Sequence, residues 1–180
     1  HFISVTTIAA AAVFAAWPSA AAEDILFTNA VVHTVSGPIH SPGFVLVAGD
    51  TIKAVGPAEE QPAAGEAKVV NLKGQHLFPG LIAPTTALGL MEIPAVRATV
   101  DTSEVGTYTP EVKSWLAVNP DSELIPVARA NGITHFLPVP QGGTVTGQSG
   151  LMATAGWGYE NMLAHSPVAL HLFWPSMNIN

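Results

Sequence analysis

Residues 68–90 read KVVNLKGQHLFPGLIAPTTALGL, and the fold class turns on this stretch. Lys68-Val69-Val70-Asn71-Leu72 has the composition of a short strand, and Lys73-Gly74 that of a turn. The run Leu77 to Ala83 is short and apolar, the kind that fills a parallel strand covered on both faces. A β-module therefore ends at residue 76, and an α/β unit begins at residue 77.

Upstream, Ile25 to Val35 follows period two, with odd positions mostly large and apolar, as in a strand with one buried face. Ser36-Gly37-Pro38 turns the chain. Phe44 to Ala48 and Ile52 to Val55 form two further strands, joined as a hairpin through Gly49-Asp50 and Thr51. Residues 57–67, PAEEQPAAGEA, carry acidic groups and no large apolar side chain, and read as a solvated loop. Downstream, Asp121 to Gly132 is a helix, acidic at its start and ended by Arg129 and Asn131-Gly132. Ile133 to Val139 follows as a strand, then a glycine loop, a helix around Tyr159 to His165, and a strand from Val168 to Trp174. That order is the alternation of a parallel sheet.

The 180 residues are 48% hydrophobic and 11% charged, too apolar for disorder. A net charge of −7 argues against nucleic acid or anionic lipid as a partner. With no cysteine, disulfides, thiolate nucleophiles and iron–sulfur clusters are excluded. Residues 1–22 hold no Asp, Glu, Lys or Arg, and end in Ala20-Ala21-Ala22 after Pro18. This reads as a secretory signal peptide in preference to a membrane anchor, being short and alanine-rich, so export to the periplasm or outside is expected, with no membrane association after cleavage.

The motifs NAVVHTVSG (from Asn29), GDTIKAVG (from Gly49) and VVNLKGQHLFPGLIA (from Val69) together resemble the N-terminus of the amidohydrolase superfamily, near its imidazolonepropionase-like members. The matching anchors are Asn29, Ala30, Ile52, Val55, Gly56, Leu72, Gly74, Pro79, Gly80, Leu81 and Ile82. The resemblance implies an N-terminal β-sandwich module at residues 23–76, followed at 77–180 by the first strands of a (β/α)8 TIM barrel whose first strand is Leu77 to Ala83. For the full-length protein it further implies a divalent metal, zinc foremost, and a small amide or cyclic amide substrate. A metal-bound hydroxide would attack the carbonyl, and an aspartate would shuttle the proton.

The chain departs from the family pattern where the ligands should be. Ala83, Thr85 and Ala87 stand in place of Asp, His and His, so the first-strand H-x-H is absent, and neither a hydroxyl nor a methyl replaces imidazole on zinc. In this it resembles a divergent clade of the superfamily, with LGLMEI from Leu88, NGIT from Asn131 and GGTVTGQS from Gly142. The last of these is one residue from a phosphate loop, but Gln148 occupies the lysine position, so phosphate binding lacks its cation. Loops after barrel strands build the site, which makes Thr85 and Gln148 the candidate substrate-binding residues; the catalytic residues are not identifiable, and no metal ligand is assigned.

No pair of histidines forms H-x-H or H-E-x-x-H. His33, on the apolar side of its strand, reads as a hydrogen-bonded structural residue; His135 and His171 are mid-strand and open to a functional role. Glu92, Asp101 and Glu104 lie in the long connection after the first barrel strand. A full barrel takes about 250 residues. The expectation is therefore an N-terminal fragment, inactive alone, of an exported hydrolase acting on carbon–nitrogen bonds. The alternative is a pseudoenzyme or binding protein that keeps the fold.

Overall fold

A computed structural model describes residues 23–174, so the expected signal peptide lies outside the described residues. The chain divides between Phe78 and Pro79 into two units.

The first unit is one five-stranded sheet among the described residues. β1 (Ile25–His33), β2 (Ile39–Ala48) and β3 (Thr51–Pro57) are antiparallel neighbours, while β4 (Lys68–Asn71) and β5 (His76–Leu77) both run parallel to β1. The β2–β3 hairpin forms at Gly49-Asp50, where Gly49 takes a φ of 61° and its amide donates to the Asp24 carboxylate at 3.1 Å. The buried face of β1 is the even one, not the odd one that its larger side chains suggest. Leu26, Ala30 and Val32 are at most 4% exposed, while Ile25, Phe27 and Val31 are half-buried. Asn29 at φ 52° and the register breaks around it bend the strand, and small Ala30 then packs inward against Val45.

The boundary also moves. Leu77 does not open the second sheet: β5 pairs it with Val32 in the first. The strand expected at Leu77 to Ala83 is β6 (Leu81–Thr86), because Pro79-Gly80 interrupts the run.

The second unit is a four-stranded sheet in the order β6–β7–β8–β9, with β7 at Ile133–Pro138, β8 at Val145–Ala153 and β9 at Leu163–Leu172. Only β6 and β7 are parallel; β8 and β9 are antiparallel to their neighbours, which corrects the expected all-parallel alternation. The helix between β6 and β7 is α1 (Leu124–Ala130), shorter than Asp121 to Gly132, and Gly132 ends it at φ 87°. The glycine loop is a turn at Gly142–Thr144 leading into β8, since β-branched Val145 and Thr146 favour extended backbone. The helix expected around Tyr159 to His165 shrinks to α2 (Tyr159–Met162). Leu163 and His165 pair instead with Met152 and Leu151, so ladder bonds win over helix propensity. The unit is therefore a mixed α/β arrangement.

Its core joins Phe136 and Met152, paired across β7 and β8, to Leu90, Trp115, Val118, Ile125 and Met162. Three of those seven residues, Leu90, Trp115 and Val118, come from the connection 87–123, which has little regular structure but is strapped to the sheet. Ser114 is buried and its hydroxyl reaches the carbonyls of Pro138 at 2.6 Å and Gln148 at 3.1 Å. The Gln148 amide donates to Val112 O at 2.7 Å, and the Thr144 and Val145 amides to Thr107 O at 2.8 and 3.0 Å. Ser114→Ala leaves the buried Pro138 carbonyl and the part-buried Gln148 carbonyl without this donor. It is expected to cost about 1–3 kcal/mol, read as a lower denaturant midpoint with an unchanged slope.

Candidate functional site

The strap, with Pro140 from the connection after β7, forms a recess of about 360 Å³ in the second unit. Leu90, Leu116 and Ala117 give it an apolar side, and Asp101, Ser103, Glu104 and Lys113 a polar one. Asp101 is placed there by its backbone: its amide donates to Leu90 O at 2.8 Å, which folds the strap back on itself. Lys113 immediately precedes Ser114, so the hydroxyl that pins the strap also fixes where the ammonium begins. Both charge signs thus line one concave surface with an apolar wall, a setting that suits a small polar molecule carrying donors and acceptors. Of the three carboxylates singled out in the sequence, Asp101 and Glu104 line this recess and Glu92 does not. Glu92 instead holds one buried oxygen, Oε1, with no hydrogen-bond partner.

A second, shallower recess of about 550 Å³ lies at the glycine turn, between Thr107, Gln141, Gly142–Thr144 and the aromatic pair Phe173 and Trp174. Phe173 is held there by its amide, which donates to Thr144 O at 2.8 Å.

Thr85 lies one residue from the C-terminal end of β6 and is exposed. Gln148 is half-buried in β8, two strands away, and its side-chain amide donates to Pro110 O at 2.9 Å. Neither residue lines the first recess; Gln148 reaches it only by holding the strap. Ala83, Thr85 and Ala87 bring no nitrogen or carboxylate to the end of β6. Among the described residues no group of three or more His, Cys, Asp or Glu is arranged to hold a metal ion. The donors present therefore form no zinc site by themselves; the family resemblance places that metal in the full-length protein, not on these residues.

Two histidines found mid-strand in the sequence make side-chain contacts. His171 Nε2 lies 2.8 Å from the Oγ of fully buried Ser149, across the β8–β9 ladder, and burial lowers the imidazole's pKa. His135 Nδ1 lies 3.1 Å from Thr134 Oγ1. Sequence alone could not pair Ser149 with His171, because that contact exists only when β9 turns antiparallel onto β8.

No protein-family model and no curated protein matches the chain. Among solved structures, an amidohydrolase from Thermotoga maritima MSB8 is similar over 82% of this chain, at 30% identity and a TM-score of 0.75. The chain spans 38% of that protein's length. Another amidohydrolase is 23% identical over 38% of this chain and 16% of its own, with a TM-score of 0.34. The N-acetylglucosamine-6-phosphate deacetylase of Pasteurella multocida is 22% identical over 59% of this chain and 30% of its own, with a TM-score of 0.32.

Proposed function

We propose, from the premise that the chain belongs to the amidohydrolase superfamily, that the protein it forms part of hydrolyses a carbon–nitrogen bond in a small amide, cyclic amide or dipeptide amide. The observation that carries this is the likeness to the Thermotoga amidohydrolase, which runs through both units at 30% identity. In this reading β6, α1 and β7 are the first turn of a (β/α)8 barrel, residues 23–76 belong to a β-sandwich module, and residues 1–22 direct export to the periplasm or beyond.

The contribution of this chain to such a reaction is binding and orientation. An amide presents one acceptor and one or more donors, and the recess offers the Lys113 ammonium to the first and the Asp101 and Glu104 carboxylates to the second. Gln148 holds the strap that carries Lys113, and the exposed Thr85 hydroxyl is available to substrate at the end of β6. Because Ala83, Thr85 and Ala87 are not ligands, the chemical step draws on no metal held by this strand.

That same substitution favours a second reading, a non-catalytic binding protein that keeps the fold. The two are separated by incubating the full-length protein with cyclic amides and dipeptide amides and following release of primary amine. Amine release above buffer, with Lys113→Met raising KM about tenfold or more, is the expected result; one lost charge-assisted hydrogen bond corresponds to that order. Saturable binding without amine release would overturn hydrolysis and leave the binding protein.

A further inference from the structure

We propose that His33 and His76, in the first unit, form a two-imidazole site for a divalent transition-metal ion, with Cu(II) bound most tightly. His33 closes β1 and His76 opens β5, and the parallel pairing of Val31 with His76 and Val32 with Leu77 brings their side chains together at one end of the sheet. His33 Nε2 lies 2.8 Å from His76 Nδ1. The ring centroids are 5.1 Å apart with the planes 23° from parallel. That separation exceeds the nitrogen distance by about two ring radii, so the imidazoles meet nitrogen to nitrogen, almost in one plane, and do not overlap. Phe78 supports them: its ring lies 4.1 Å from that of His33 at 12°.

In this contact one facing nitrogen carries a hydrogen and the other offers a lone pair. Moving that hydrogen to the far nitrogen of the same ring leaves both rings neutral and two lone pairs converging, the state a metal needs. Metal–nitrogen bonds near 2.0 Å set at a right angle, as in tetragonal copper or nickel, hold nitrogens about 2.8–2.9 Å apart. Tetrahedral zinc holds them about 3.3 Å apart. The observed spacing matches the first, once the rings turn enough to aim both lone pairs at one point. His76 is exposed and His33 half-buried, so the outer ring is free to make that turn. No third His, Cys, Asp or Glu joins them among the described residues, so water completes the shell and the ion stays exchangeable. Imidazole suits all three ions, and the order of divalent affinities places copper ahead of nickel and zinc.

The full chain, carrying His1→Ala to remove the terminal imidazole, is titrated with copper, nickel and zinc chlorides in a buffer that does not chelate. One equivalent of Cu(II) with a two-nitrogen paramagnetic resonance spectrum is expected, with affinity falling from copper to nickel to zinc and falling again on acidification. His33→Asn and His76→Asn are each expected to weaken copper binding tenfold or more, and His40→Asn to leave it unchanged. Retained affinity in both single variants overturns the site. Should either variant misfold, sub-stoichiometric Cu(II) added to the parent chain must broaden the His33 and His76 ring proton resonances first. Broadening that begins at any other histidine overturns the proposal.

Discussion

Phe136→Ala is expected to lower the stability of the second unit by about 3–5 kcal/mol, the range for truncating a fully buried aromatic. Phe136 has no exposed surface and sits opposite Met152 in the β7–β8 ladder, with Leu90, Trp115 and Val118 of the strap against the same cluster. The cavity left by alanine therefore has walls from the sheet and from an irregular segment that is held otherwise by hydrogen bonds to β7, β8 and the turn before β8. The measurement is denaturant unfolding, together with proteolysis of the connection 87–123. A lower midpoint with earlier cleavage in the strap is the expected pair of results. Phe136→Leu, which restores most of the apolar volume, should recover most of the loss. A midpoint unchanged by alanine would mean that Phe136 does not anchor this core.

Gly147→Ala is expected to cost about 2–4 kcal/mol for two separable reasons. Gly147 takes a φ of 119°, which an L side chain rarely adopts, and an added Cβ would lie 2.7 Å from the Val112 carbonyl oxygen. The strap cannot retreat without stretching the bond from the Gln148 amide to that same carbonyl, 2.7 Å long. Gly49→Ala gives a lower reference for the backbone cost: its φ of 61° lies in the milder left-handed region, and nothing lies within 4 Å of the added carbon. It should therefore show the conformational cost alone, about 1 kcal/mol. A loss at Gly147 no larger than at Gly49, by thermal unfolding of each variant, would show that the strap does not press on β8.

How much was legible beforehand follows from the range of each interaction. The strands of the first unit, the hairpin at Gly49-Asp50 and the core of α1 are written in local signals: alternation, a two-residue turn, and a glycine that ends a helix. The even face of β1 was not legible, because Asn29 breaks the alternation with a positive φ that no local pattern announces. Residues 142–149 read as a loop because of their glycines, yet the ladder to β9 and the bonds to Thr107 and Val112 make most of that segment a strand. Leu163 to His165 has helix-compatible residues, and only the partner strand decides otherwise. For the site, Asp101 and Glu104 were visible as carboxylates in a long connection. Their convergence with Lys113 was not, since it depends on the Ser114 and Gln148 contacts. The His33–His76 pair spans 43 residues and follows from the parallel register of β1 and β5, which nothing in either histidine's neighbourhood encodes.

The strapping of the connection 87–123 has an entropic corollary. Ordering a residue's backbone costs about 1–2 kcal/mol, and a segment with few ladder bonds of its own cannot meet that cost locally. Its hydrogen-bond partners on the sheet side lie on β7, β8 and the connection between them: Pro138, Gln141, Thr144, Val145 and Gln148. The recess is thus a conditional cavity. It exists as a shape only while the strap is seated on β7 and β8, so the recess and those contacts form and melt together.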